Sequence, residues 1–117
     1  MKGVYLLFLQ LEDDTEVGVG ALGELELPAG TYIYVGSAMN GVEKRLERHY
    51  GSDKKLHWHI DYLTEKAEVF DHFILPDNSE YECIMSQILS RFSEPVECFG
   101  SSDCDCSSHL YRMPEGF

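Results

Sequence analysis

The sequence predicts a small α+β domain: a central, mainly antiparallel sheet flanked by helices, with an extra hairpin near its start. Three observations carry that expectation. The chain has 117 residues, 44% of them hydrophobic, with seven Tyr and six Phe, which suits one core spanning 1–117 and is too apolar for disorder. Several runs are rich in β-branched and aromatic residues and are bounded by glycine, proline and acid clusters, as strands are. Two other runs place apolar residues at i and i+4, the spacing of a helix face.

The elements follow in order. GVYLLFLQL, residues 3–11, reads as a strand. It ends at acids and lacks the small-residue cleavage site of a signal peptide. The expected compartment is therefore the cytoplasm, and no apolar run approaches the roughly 20 residues of a membrane span. EDDTE is a turn, VGVG and ELEL are short strands of an added hairpin, and PAG is a second turn. TYIYVG, residues 31–36, is a strand.

Asn40-Gly41 opens a helix near 41–50, closed by Gly51-Ser52. Val42, Leu46 and Tyr50 form its expected buried stripe, with Arg45 and His49 on the neighbouring face. KLHWHIDYL alternates as a strand would, but Leu56, His59, Ile60 and Leu63 fit a helix, and a short helix is preferred. AEVFDHFIL is a strand stopped by Pro76. Residues 77–92 read as a helix capped by Asp77, Asn78 or Ser79, with Cys83, Ile84, Ile88 and Phe92 as its apolar side. HLYRM closes the chain as a strand.

A formal net charge of -12 argues against general nucleic-acid binding. The basic residues are not evenly spread, however. Five of the nine Lys and Arg lie between Lys44 and Lys55, against three acids, Glu43, Glu47 and Asp53, from residue 43 to 55. Charges more than about 8 Å away are largely screened in physiological salt, so this small patch can act despite the acidic whole. Lys44, Arg48, His57 and His59 are its candidate substrate contacts.

The residues that carry chemistry are Tyr5 and Tyr34 on two strands, Arg45 and His49 one helical turn apart, and Glu82 near the start of a later helix. Such a set suits phosphodiester cleavage, which needs an activated water, a cation for the developing phosphorane charge, and a metal or acid at the leaving oxygen. A guanidinium gives a fixed charge and a two-pronged donor to phosphate. One carboxylate with water completing the octahedron suits Mg²⁺.

These residues resemble a family. GVY at 3–5 and YVG at 34–36 look like the paired signatures of GIY-YIG nucleases, and YVGSAMNGVEKRLERHY is similar to the same segment of homing and excision-repair members. HWHIDYL and FGSSDCDCSSHLYRM resemble a branch long described as a domain of unknown function. The resemblance spans essentially the whole chain and implies a GIY-YIG-like fold. It implies a nuclease, a hydrolase of DNA phosphodiesters suited to DNA repair, using one Mg²⁺ or Mn²⁺. It further implies Tyr5 and Tyr34 as the motif tyrosines, Arg45 and His49 as the helix pair, and Glu82 as metal ligand, with Glu80 about 200° around the helix as the alternative. Gly36 matches the glycine that lets another group approach closely. Twenty-eight residues separate Tyr5 from Tyr34, more than is usual in the family, so an insertion at about 12–27 is expected to bulge out as a hairpin.

Cys98, Cys104, Cys106 and His109 have the right donor types for zinc. Their spacing matches no standard knuckle, and zinc is not expected. The competing class is a non-catalytic module of the same fold that binds nucleic acid or a protein partner, which the acidity favours. For a nuclease of this acidity, a fused domain, an oligomer or a basic partner protein would supply the missing affinity for DNA.

Overall fold

The central strand of the sheet is the first one in the chain. In the computed structural model, residues 3–19, 23–38, 41–51, 59–76, 81–91, 93–96 and 109–114 are described, with backbone alone at 37–38, 59, 76 and 81–83. Strand β1 (Gly3–Leu11) pairs antiparallel with β4 (Gly30–Ala38) on one side and with β5 (Glu68–Pro76) on the other. Strand β7 (Leu110–Arg112) pairs with β4, and β6 (Glu94–Pro95) pairs with β7, giving the order β5-β1-β4-β7-β6. Every pairing is antiparallel. This is the small α+β architecture with a mainly antiparallel sheet that the sequence predicts.

The insertion is a hairpin. β2 (Thr15–Gly18) and β3 (Glu24–Leu27) form a separate two-stranded sheet in which Glu16 stands opposite Glu26. Its outer face is acidic. A hydrogen bond to Glu24, and repulsion from it, raise the Glu16 carboxyl above its ordinary value. Its inner face is apolar and joins the main core through Val17 and Leu27.

Period-two alternation splits the apolar residues between two faces. Tyr5, Leu7, Leu9 and Leu11 share one face with Tyr32 and Tyr34, under Val42 and Leu46 of helix α1 (Val42–Tyr50) and Ile60 and Leu63 of helix α2 (His59–Thr64). Val4, Leu6, Ile33 and Val35 face the other way, towards Leu89 of helix α3 (Tyr81–Leu89). Each fully buried leucine contributes about 2 kcal/mol, so β1, apolar on both faces, anchors two layers at once. Among the described residues no helix is long and apolar enough to cross a membrane.

Two expected helix faces are corrected. Tyr50 is 47% exposed, and His49 takes the buried place, so the stripe on α1 is Val42, Leu46 and His49. The i, i+4, i+7 spacing serves a nine-residue helix better than i, i+4, i+8, because 3.6 residues per turn brings i+7 closer to the line of the first residue. On α3, Ile84 and Ile88 are each 42% exposed, while Ser86 and Leu89 are buried. The helix turns that side inward because the Ser86 hydroxyl meets the buried ring of His109, with Oγ 2.7 Å from Nδ1. The side chain of Cys83, and Phe92 and the cap candidates Asp77, Asn78 and Ser79, lie outside what is described. Strand β6 was not anticipated.

Candidate active site

Register explains why two tyrosines distant in sequence meet. Tyr5 stands opposite Gly36, and Tyr34 stands opposite Leu7. Residues facing each other across a ladder share a face, so Tyr5 and Tyr34 are diagonal neighbours, close enough for aromatic side chains to interact. Their ring centroids are 6.4 Å apart.

The space for this comes from Gly36. A Cβ there would lie 2.4 Å from Cζ and 2.5 Å from the hydroxyl of Tyr5, and 2.9 Å from Cε2 of Tyr34. No side chain fits, so the Tyr5 ring lies across the glycine. The close approach expected at Gly36 is therefore that of the protein's own Tyr5 ring.

Helix α1 supplies the third ring. It begins after Gly41, whose φ of 141° is a backbone state that favours glycine. It ends at Gly51, whose N–H donates to the carbonyls of Glu47 and Arg48. His49 projects from its last turn into the core, and Nε2 lies 2.8 Å from the Tyr5 hydroxyl oxygen. Its ring centroid is 5.4 Å from Tyr5 and 6.3 Å from Tyr34, edge-on to the latter. Tyr5 and His49 are 1% and 2% exposed and Tyr34 is 9% exposed, so Tyr34 reaches solvent most readily.

Of the expected site residues, the structure brings Tyr5, Tyr34 and His49 into one cluster. Arg45 lies one turn before His49 on α1 and is half-buried. Lys44 is exposed on the same helix. Arg48 has a different setting: its Nη2 donates to Oδ2 of the fully buried Asp61 at 2.8 Å, clamping α1 to α2. Glu82 lies in the first turn of α3, its side chain outside what is described, as is that of His59 at the start of α2. His57, Glu80, Cys98, Cys104 and Cys106 lie outside the described residues. His109, weighed as a zinc ligand, is buried against Ser86, and its burial pushes the imidazole below its ordinary value. Among the described residues no three His, Cys, Asp or Glu side chains gather as a metal site.

Two partners went unnoticed in the sequence. Asp61 is fully buried although it lies off the Ile60–Leu63 face of its short helix, and nothing in the sequence marked Arg48 as its partner. Tyr32 shares the site face, but its phenol donates to the Pro28 carbonyl at 2.6 Å, and burial pushes its pKa up to about 12. It stays neutral at physiological pH.

Two cavities flank this face. One, of about 630 Å³, has His49 in its wall and runs along Tyr50, Thr64, Lys66 and Glu68. The other, of about 450 Å³, lies at the base of the hairpin, among Asp14, Glu16 and Glu26. It is at the opposite end of β1 and β4 from the tyrosines, and its acids repel phosphate.

An antiparallel α+β sheet with a Tyr–Tyr–His cluster under a basic helix thus defines the molecule. The family described as "Domain of unknown function DUF123" matches residues 4–116, and the chain belongs to it. Comparison with curated proteins and with solved structures found no significant match.

Proposed function

We propose that this protein is a metal-dependent nuclease of the GIY-YIG superfamily, a structure-selective endonuclease acting on DNA phosphodiesters in repair. The observation that carries the reading is the hydrogen bond between Tyr5 and His49 at 2.8 Å, beside Tyr34 and over a glycine whose missing side chain makes room for the Tyr5 ring.

An ordinary phenol loses its proton near pH 10 and an ordinary imidazole near 6.5. A tyrosine acting alone is therefore a poor base at neutral pH. Paired with an imidazole, the phenol can pass on a proton as it receives one, and no free phenolate forms. In this scheme Tyr34, the most exposed of the three, orients the attacking water. The Tyr5–His49 pair takes up its proton. Arg45 places fixed positive charge at the phosphorane. A single Mg²⁺ or Mn²⁺, with Glu82 as its protein ligand and water in its other positions, would neutralise charge at the leaving oxygen. Arg48 is left out of substrate binding because its guanidinium is held by Asp61, and Lys44 remains the patch residue suited to a phosphate.

A second reading has its own support. Tyr5 and His49 are almost wholly buried, as a core-forming pair in a non-catalytic binding module would be. Single-turnover cleavage of flapped, branched, single-stranded and duplex DNA separates the two. The nuclease reading expects Mg²⁺- or Mn²⁺-dependent cleavage that Arg45→Ala lowers about 100- to 1,000-fold, Arg45→Lys restores in part, and Glu82→Gln abolishes. Cleavage indifferent to all three variants would mark a contaminant. No cleavage by the wild type would leave the binding module.

A further inference from the structure

The cavity behind His49 has a composition that phosphate does not explain. Its wall carries one cation, Lys66, against Glu65 and Glu68, so it repels a sugar-phosphate backbone. Tyr50 stands at its edge, 47% exposed at the end of α1. A tyrosine so exposed would ordinarily swing freely. This one is fixed: its hydroxyl oxygen lies 2.9 Å from Nδ1 of His72 on β5, and the two rings meet edge-on with centroids 5.7 Å apart.

We propose that this groove receives an unstacked nucleobase, with Tyr50 as the stacking platform, and that the preferred substrate is therefore single-stranded, flapped or frayed DNA. The proposal rests on the nucleic-acid reading above. A base is flat and uncharged, so the two acids do not repel it. Glutamates accept hydrogen bonds from exocyclic amino groups. A pre-fixed aromatic ring loses little freedom when a base stacks on it, and stacking tolerates every base because each has a π-face. The volume of about 630 Å³ leaves room for a base and its water. Consecutive residues couple the two sites: Tyr50 would hold the base while His49, next to it, holds the Tyr5 phenol. A base drawn into the groove would bring its neighbouring phosphate towards the tyrosines.

The test is fluorescence anisotropy with a fluorescein-labelled single strand of roughly 12 nucleotides and with a blunt hairpin duplex, at low salt and without divalent metal. The expected result is preference for the single strand, weakened about 5- to 150-fold by Tyr50→Ala. Tyr50→Phe, which keeps the ring and loses the bond to His72 that fixes it, should bind between the wild type and Tyr50→Ala. Tyr50→Leu should behave like Tyr50→Ala, because bulk without a π-face does not stack. Equal binding by Tyr50→Ala with its circular dichroism unchanged would overturn the proposal, as would a wild type that binds no single strand. Cleavage is scored separately. Tyr50-dependent binding without cleavage supports the groove and removes the nuclease reading. Cleavage of fully paired duplex, indifferent to Tyr50→Ala, keeps the nuclease and removes the groove.

Discussion

The hydroxyl oxygen of Tyr5 lies 2.8 Å from Nε2 of His49, with both side chains buried. Forty-four positions separate them in sequence, so the bond ties β1 to the last turn of α1. Tyr5→Phe removes one partner and leaves the buried imidazole nitrogen without the phenol. The expected loss is about 1–3 kcal/mol of stability and at least about 100-fold in cleavage. His49→Gln should lower cleavage similarly. If the two act as one unit, the double variant cleaves no more slowly than the worse single variant. Additive losses in single-turnover rate would show independent roles.

Gly36→Ala sets a methyl 2.4 Å from Cζ of Tyr5. The ring must leave, at a cost of about 1–3 kcal/mol by urea titration, and cleavage should fall with it. Adding Tyr5→Leu to Gly36→Ala should recover part of the stability and none of the activity. Full activity in Gly36→Ala would contradict the proposed role of the Tyr5 ring.

Arg48 is expected to matter for folding more than for binding. Arg48→Ala takes the guanidinium away from the buried Asp61 carboxylate, which should cost on the order of 3 kcal/mol because breaking a buried ion pair from one side is strongly destabilising. Its effect on the salt dependence of DNA binding should be small. A lowered salt slope with unchanged melting temperature would return Arg48 to the substrate.

His109 gives a stability that depends on pH. Burial pushes its imidazole below the ordinary value of 6.5, so the unfolded chain takes up the proton first. The contribution is fully present above pH 6.5 and is lost as pH falls from there through the folded value. Urea midpoints should decline on acidification below 6.5, and His109→Gln should show a shallower decline at lower overall stability. An identical acid profile in the variant would exclude His109 as a source.

The strands were legible because a β-ladder writes itself locally: β1, β4 and β5 are continuous runs of aliphatic and aromatic residues, and the hairpin signals lie in VGVG, ELEL and PAG. Helix faces were less legible. A nine-residue helix gives only two or three positions per face, and hydropathy placed Tyr50 inward where a polar His49 is buried through its bond to Tyr5. The same cause misled α3, where Ile84 and Ile88 look like core and Ser86 does not. The Ser86–His109 bond that decides the matter joins residues 23 positions apart. Buried polar pairs of this kind leave no periodic trace. The cluster of Tyr5, Tyr34 and His49 was legible through motif resemblance, whereas Asp61 beneath Arg48 was not.

The hairpin within the β1–β4 connection has a consequence for the order of folding. Eighteen residues lie between Leu11 and Gly30, and β1 finds both its partners far along the chain. Closing so long a connection as loose coil is entropically costly, while an isolated hairpin forms in about 1–10 μs. β2 and β3, paired from Thr15↔Leu27 to Gly18↔Glu24, can zip first and bring Leu11 towards Gly30, the first rung of the central ladder. φ-values near 1 at Val17 and Leu27, with lower values along β5, are the kinetic signature. The inserted segment would then serve as a folding nucleus, making a slow non-local sheet start from a fast local one.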